Sequence, residues 1–305
     1  MTDATSDTSA QTDDVAAGAL PSTSRLQRPW KWIAQRRSLD VLRIRRVDLR
    51  ERGLDLGVRI AVASDIHART DWFPRENVAR LVDSINALEG VDLVALLGDF
   101  VGDDVSGIDW SAEEYARIEA PVAAVLGNHD HWCDAAYVQG VLEQSGIEVL
   151  TNRSMALAEL APAAREGVRI AGIDSCWTRR GSTGPGADAD AAFAEVEPGQ
   201  DVLVLGHEPH LATLHEHVLH LAGHTHCGQV RTPLLGDWTA RMHMPRFSNP
   251  WPCWLHEVEV DTESELPATH RGSRDSRFVY TTAGVGYSTI DLRAFCPPEV
   301  VVIDC

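Results

Sequence analysis

The sequence holds no apolar run near the ~20 residues that a membrane-spanning helix needs. Its first twenty residues, MTDATSDTSAQTDDVAAGAL, lack the apolar core of a secretion signal. Ser, Thr, Asp and Ala dominate that stretch, which reads as a disordered acidic tail, and a cytoplasmic location is the expectation. Cysteine is scarce: there are six in 305 residues, none in a C-x-x-C pair. Thiols scattered over so long a chain indicate reduced cysteines, not a disulfide framework. Positive charge is short as well. With 27 Lys and Arg against 45 Asp and Glu, the formal net charge is −18. No stable nucleic-acid partner is expected of such a chain, because that affinity rests on neutralising phosphates.

The cations that are present are bunched. The stretch RLQRPWKWIAQRRSLDVLRIRRVDLRER, Arg25 to Arg52, is strongly basic and carries Trp30 and Trp32. Two readings stand. Residues 22–40 make peripheral contact with anionic lipid at the inner membrane face, or the basic residues flank an edge strand from Val41 to Leu49 and the tryptophans pack on the domain.

What the chain does have is short, β-branched apolar runs that end in polar clusters: RIAVASDIH, VDLVALLGDF, PVAAVLGNHD, VRIAGIDS, DVLVLGHEPH, HLAGHTH, RFVYTTAGVG and VVVI. Such runs read as strands buried on both faces, the habit of layered α/β folds. Val78, Leu81, Val82, Ile85 and Leu88 repeat at helical spacing, with Gly90 as the stop. A second helix is expected from an Asp134 cap to Gly146. Strand, helix, strand makes a crossover, so the first strands should be parallel. RRGSTGPGADAD and DTESELPATHRGSRDS read as surface loops. The segment RTPLLGDWTARMHMPRFSNPWPCW, rich in Trp, Met, Phe and Pro, is either a packed irregular loop or an apolar lid.

Five of the strand ends form one set. They carry Asp65 and His67, then Asp99, then Asn128 and His129, then His207, then His224 and His226. In α/β sheets ligands gather at the carboxyl ends of strands, so these residues can converge. Assembling carboxylates there without a cation would be costly. A mixed nitrogen and oxygen set suits Mn, Fe or Zn better than Mg or Ca.

The ordered motifs D-x-H, G-D, G-N-H-D, G-H and G-H-T-H resemble those of the calcineurin-like metallophosphoesterases. GHTHCGQV and GVGYSTIDLRAFCPPEV are similar to their bacterial phosphodiesterase branch. The resemblance implies an α/β fold of the four-layer αββα sandwich type, with residues 41–305 as the catalytic domain behind the 1–40 tail and basic segment. It implies two divalent ions, manganese favoured. Asp65, His67 and His226 would hold one, Asn128, His207 and His224 the other, and Asp99 would bridge them. His129 would be the general acid, and a metal-activated hydroxide would attack a phosphodiester or pyrophosphate. The substrate would be a small-molecule or lipid-linked phosphodiester, or a nucleotide one. The rivals are a nuclease and a catalytically silent metal-binding protein of the same fold.

Two departures stand out. The protein-phosphatase pattern G-D-x-x-D has an Asp that orients the catalytic His. Here GDFVGDD puts Gly102 at that place. Cys227 replaces the first glycine of the usual G-H-T-H-G-G. It carries strain if that position needs positive φ, and is otherwise a thiol open to oxidation beside a metal ligand. LHEHVLH looks helical, but its spacing is wrong for a zinc protease, and His215, His217 and His220 are expected to face solvent. His131 and Trp132 are candidates to line the substrate mouth, and Asp174 and Cys176 lesser ones.

Overall fold

A computed structural model describes residues 34–35, 39, 41–178, 184–215, 217–231, 251–259 and 276–305. The acidic tail, Trp30 and Trp32, most of the 231–254 segment, residues 179–183 of the first expected loop and 261–275 of the second lie outside the described residues. In chain order the strands are β1 (Ala34–Gln35), β2 (Arg43–Asp48), β3 (Arg59–Ala63), β4 (Leu93–Leu97), β5 (Val122–Val125), β6 (Glu148–Val149), β7 (Arg153–Ala156), β8 (Arg169–Ile173), β9 (Val202–Gly206), β10 (Leu219–Ala222), β11 (Trp254–Glu259), β12 (Ser276–Thr281), β13 (Arg293–Ala294) and β14 (Glu299–Asp304). The helices are α1 (Arg75–Asn86), α2 (Ile108–Tyr115), α3 (Asn128–Cys133), α4 (Ala135–Gln144), α5 (Leu157–Leu160) and α6 (Ala189–Ala192).

The chain folds as a four-layer αββα sandwich. One sheet runs β2-β14-β3-β4-β5-β6, the other β11-β12-β10-β9-β8-β7. The steps from β3 to β6 are parallel, as the crossover pattern requires. So are those linking β8, β9, β10 and β12. Strand periodicity sorts the core. In β4, Leu93, Ala95 and Leu97 enter the space between the sheets with Leu203, Leu205, Leu219 and Leu221. Val94 and Leu96 point the other way, onto Val78, Leu81, Val82 and Ile85 of α1. On the far side, Val202 and Val204 of β9 pack on Ala192, Phe193 and Val196. Both inner strands are buried on two faces, which is why their sequences show continuous apolar runs.

Helix α1 ends at Asn86, before the expected Gly90 stop. The Leu88 N–H closes a tighter turn on Ile85 O at 3.0 Å, and Gly90 at φ 67° then reverses the chain. Helix α4 starts where expected, with the Asp134 carboxylate accepting the Tyr137 N–H at 3.2 Å. The edge strand foreseen from Val41 to Leu49 is β2. Strand β11 was not foreseen, because the segment before it shows no alternation. No helix among the described residues is long and apolar enough to cross a membrane.

The expectation for LHEHVLH is overturned. LHEHVLH contains no helix among its described residues, and His215, His217 and His220 are buried, at 0%, 3% and 0% exposure. Their rings pack on one another at centroid distances of 5.0 to 5.5 Å, and His215 stacks on Phe193 at 4.9 Å. Burial holds His217 well below the ordinary imidazole range and pushes His220 down to about 3. Neutral imidazole is apolar enough to join a core, which residue type alone does not disclose.

Candidate metal centre

The turns after β3, β4, β5, β9 and β10 meet at one end of the two sheets. Glycine permits the approach. A Cβ on Gly127 would overlap the Asp99 carboxylate, and one on Gly223 would overlap the Ser64 hydroxyl. The side chains that gather there are buried: Asp65, His67, Asp99, Asn128, His207, His224 and His226 are each at most 7% exposed. Ligand atoms cluster in three groups: Asp65, His67 and His226; His67, Asp99 and His129; Asp99, His207 and His224. Asp99 joins two of them, its Oδ2 lying 3.2 Å from His207 Nε2 and 3.5 Å from His67 Nε2. His67 Nε2 is 3.1 Å from His226 Nε2, which is 3.4 Å from Asp65 Oδ1. His224 Nδ1 is 3.2 Å from His207 Nε2.

Two observations fit this donor set to divalent ions. Asp65, His67, Asp99, His224 and His226 all sit at positive φ, between 47° and 68°. Left-handed backbone at five non-glycine residues is costly and gathers where function requires it. The Asn128 Oδ1 acceptor is buried without a hydrogen-bond partner, as is His224 Nε2. A neutral amide oxygen left unpaired in the turn after β5, next in sequence to His129, is what a cation would satisfy.

Electrostatics agree. Burial pushes His67 down to about 3 and holds His224 and His226 well below the usual range, which favours neutral rings. Burial also raises Asp65 to about 6. For Asp99 burial acts upward too, but the surrounding His207, His129 and His67 outweigh it and hold the carboxyl well below its ordinary range. His207 goes the other way: burial would lower it, and Asp99 raises it well above. Asp99 Oδ2 and His207 Nε2, 3.2 Å apart, thus shift each other in opposite directions.

A second ring holds the first, and most of it escaped sequence reading. Leu97 O lies 2.7 Å from His207 Nδ1, so that nitrogen carries the proton and Nε2 faces the site. Gly102 O does the same for His129 Nδ1, at 2.7 Å. Asp130, quoted within G-N-H-D but given no role, accepts the N–H groups of Phe100 and Val101 (2.9 and 3.1 Å) and of Gly127 (2.8 Å). It ties the β4 and β5 turns together. Arg293, buried in β13, places Nη2 3.1 Å from His226 Nδ1 and donates from Nε to Gly286 O at 2.7 Å. Gln229 clasps the loop leading to Arg293, donating to the carbonyls of Ser288, Ile290 and Leu292. Only the Q of GHTHCGQV offered a hint. His131 and Asp174 do not line a mouth; both are buried and paired with each other at 2.7 Å.

Cys227 lies at φ 50°, so the strained alternative holds. It is fully buried beside Cys253 and Cys296, and burial raises its thiol well above the ordinary range. Among the described residues all six cysteines are free thiols.

The calcineurin-like phosphoesterase family model matches residues 58–228, more than half of the chain. A Danio rerio protein described as a transmembrane protein with metallophosphoesterase domain is 28% identical over 258 residues, which cover 81% of this chain and 53% of that protein. The chain thus spans about half the length of that relative. An uncharacterised metallophosphoesterase of Aquifex aeolicus is 23% identical over 268 residues, covering 86% of this chain and 91% of its own. Phosphodiesterase YaeI of Escherichia coli is 28% identical over 225 residues, 70% of each chain.

Proposed function

The chain belongs to the calcineurin-like phosphoesterase family, and from that premise we propose that it hydrolyses a phosphodiester or pyrophosphate at a two-metal centre. In this reading Asp65, His67 and His226 hold one divalent ion, Asn128, His207 and His224 the other, and Asp99 bridges. The observation that carries it is the position of Asp99 Oδ2, within 3.5 Å of a histidine from each set. Manganese is favoured over iron or zinc. When bound, such ions supply Lewis-acid stabilisation of the phosphoryl oxygens and activate water near neutral pH.

The protein's own groups do the rest. Neutral Asn128 and the imidazoles leave the centre electropositive enough to receive an anionic diester. His129 N–H donates to Asp99 Oδ1 at 2.8 Å, which anchors the start of α3 against the bridging carboxylate. Gly102 O accepts the His129 Nδ1–H; acting as general acid, the ring carries a second proton on Nε2, passes it to the leaving oxygen and is left as the neutral Nδ1–H form. The YaeI relative is named a phosphodiesterase, which supports a diester substrate. That substrate is a small-molecule, nucleotide or lipid-linked phosphodiester, reached by a cytoplasmic protein that touches the inner membrane face through residues 22–40. Manganese-loaded protein is expected to hydrolyse bis(p-nitrophenyl) phosphate, and Asp99→Ala to lose both turnover and bound metal by elemental analysis. Full metal content and turnover in that variant would refute the assignment.

A further inference from the structure

Two tryptophans stand against the centre. Trp132 follows His129 by three residues on α3, so the two share a helix face. Their ring centroids are 4.6 Å apart at 43°. Trp177, four residues past β8, meets the His224 ring edge-on at 5.1 Å and 72°. The proposed acid and a proposed ligand of the second ion thus each carry an indole. Trp132 Nε1 donates to Trp177 O at 2.7 Å, joining the two walls.

Behind the indoles the frame is locked. His131 and Asp174 are paired, and Asp174 Oδ2 accepts the Gly186 N–H at 3.1 Å. A Cβ on Gly184 would overlap the His131 ring, so the main chain at Gly184 lies close against that histidine. Asn152 Oδ1 accepts the N–H groups of Asp174 and Asp188, at 2.9 and 3.1 Å. Trp132 and Trp177 are partly exposed residues; Trp132 is carried by α3, and the Trp177 N–H donates to Ser175 Oγ at 3.2 Å. A platform ordered before the ligand arrives loses little entropy on binding.

We propose that Trp132 and Trp177 are specificity-determining residues that stack on a planar aromatic group, so that the substrate is a nucleoside-bearing phosphodiester or pyrophosphate. This rests on the phosphoesterase reading above and narrows its substrate. The indoles touch imidazoles and a main-chain carbonyl, surroundings that suit a heterocycle with hydrogen-bonding edges better than an alkyl chain. The net charge of −18 disfavours a long polynucleotide, which leaves single nucleosides. Stacking of a base on an aromatic side chain changes affinity about 5- to 150-fold on alanine substitution.

Calorimetry on the manganese-loaded protein, with AMP, glycerol phosphate and dodecyl phosphate as probes, reads the preference without turnover. AMP should bind about 10-fold or more tightly than glycerol phosphate. Trp177→Ala and Trp132→Ala should bring that ratio toward one, while Trp177→Phe, which keeps a ring and guards against misfolding, should retain most of it. A wild-type ratio near one, alanine variants that keep the ratio, or tighter binding of dodecyl phosphate than of AMP would each overturn the stacking role. Hydrolysis of bis(p-nitrophenyl) phosphate, measured separately, tests the phosphoesterase reading on its own.

Discussion

The main-chain oxygen of Gly102 lies 2.7 Å from His129 Nδ1, in the place where a G-D-x-x-D sequence would put a carboxylate. The histidine is therefore oriented by a neutral acceptor. A carbonyl only accepts, so Nδ1 carries a proton, and Nε2 is the nitrogen directed away from that hydrogen bond. The Gly102 position itself is tight, since a Cβ there would come within 2.6 Å of Arg69 Cδ. What reads in the sequence as a missing catalytic residue is a substitution of main chain for side chain.

His129→Ala should keep both metals and still lose activity selectively. General acid catalysis is worth ~10²–10⁴-fold, and its loss falls on esters with poor leaving groups. Alkyl diesters should be slowed by about that much, whereas p-nitrophenyl esters, whose leaving group needs little protonation, should be affected far less. Equal losses on both substrates would assign His129 to binding or to the fold.

The convergence of Asp65, His67, Asp99, His207, His224 and His226 was legible because each follows a short buried strand, and strand ends are where an α/β sheet collects its site. The second ring was not. Arg293 meets His226 from 67 positions away in sequence. The acceptors for His207 and His129 are main-chain oxygens, which no residue type announces. Asp130 stood in a quoted motif, but its role depends on two turns meeting, a fact of three dimensions. The histidines of LHEHVLH were misread for the opposite reason: a residue type usually found at the surface was placed there, while the neutral ring packs in the core.

Those buried histidines should make the protein acid-sensitive. His220 titrates near 3 when folded and near 6.5 when unfolded, so between those values the unfolded chain binds more protons. Its contribution to stability is intact above pH ~6.5 and declines as pH falls toward 3. The groups that depress it are burial first, then His210 and Arg277. His220→Leu should flatten the fall in urea midpoint between pH 7 and pH 4 relative to wild type. Parallel curves for the two proteins would show that the ring is not held neutral.

Cys227 should resist oxidation even though it adjoins a proposed ligand. Its side chain has no exposed surface, and reactive thiols are accessible ones. Peroxide at concentrations that modify the exposed Cys176 should leave Cys227 unmodified by mass spectrometry. Cys227→Gly should preserve activity, since glycine adopts φ 50° without strain. Protection from peroxide in that variant would restore the thiol as the sensitive group.

Membrane contact is the prediction with the widest reach. Strand β1 pairs with β13, Gln35 opposite Arg293, whose Nη2 lies 3.1 Å from His226 Nδ1. On the edge strand β2, Arg46 is exposed, and Arg50 follows in the turn after it. Each Lys or Arg near an anionic surface contributes about 1 kcal/mol. Such attraction is local, within a Debye length of roughly 8 Å, so a net charge of −18 does not abolish it. The full chain should co-sediment with vesicles containing phosphatidylserine but not with neutral ones, and high salt should release it. Deleting residues 22–40 should remove vesicle binding while a soluble diester is still hydrolysed. Absence of binding at low salt, including after removal of the acidic residues 1–21, would assign the basic segment to packing and leave the substrate in solution.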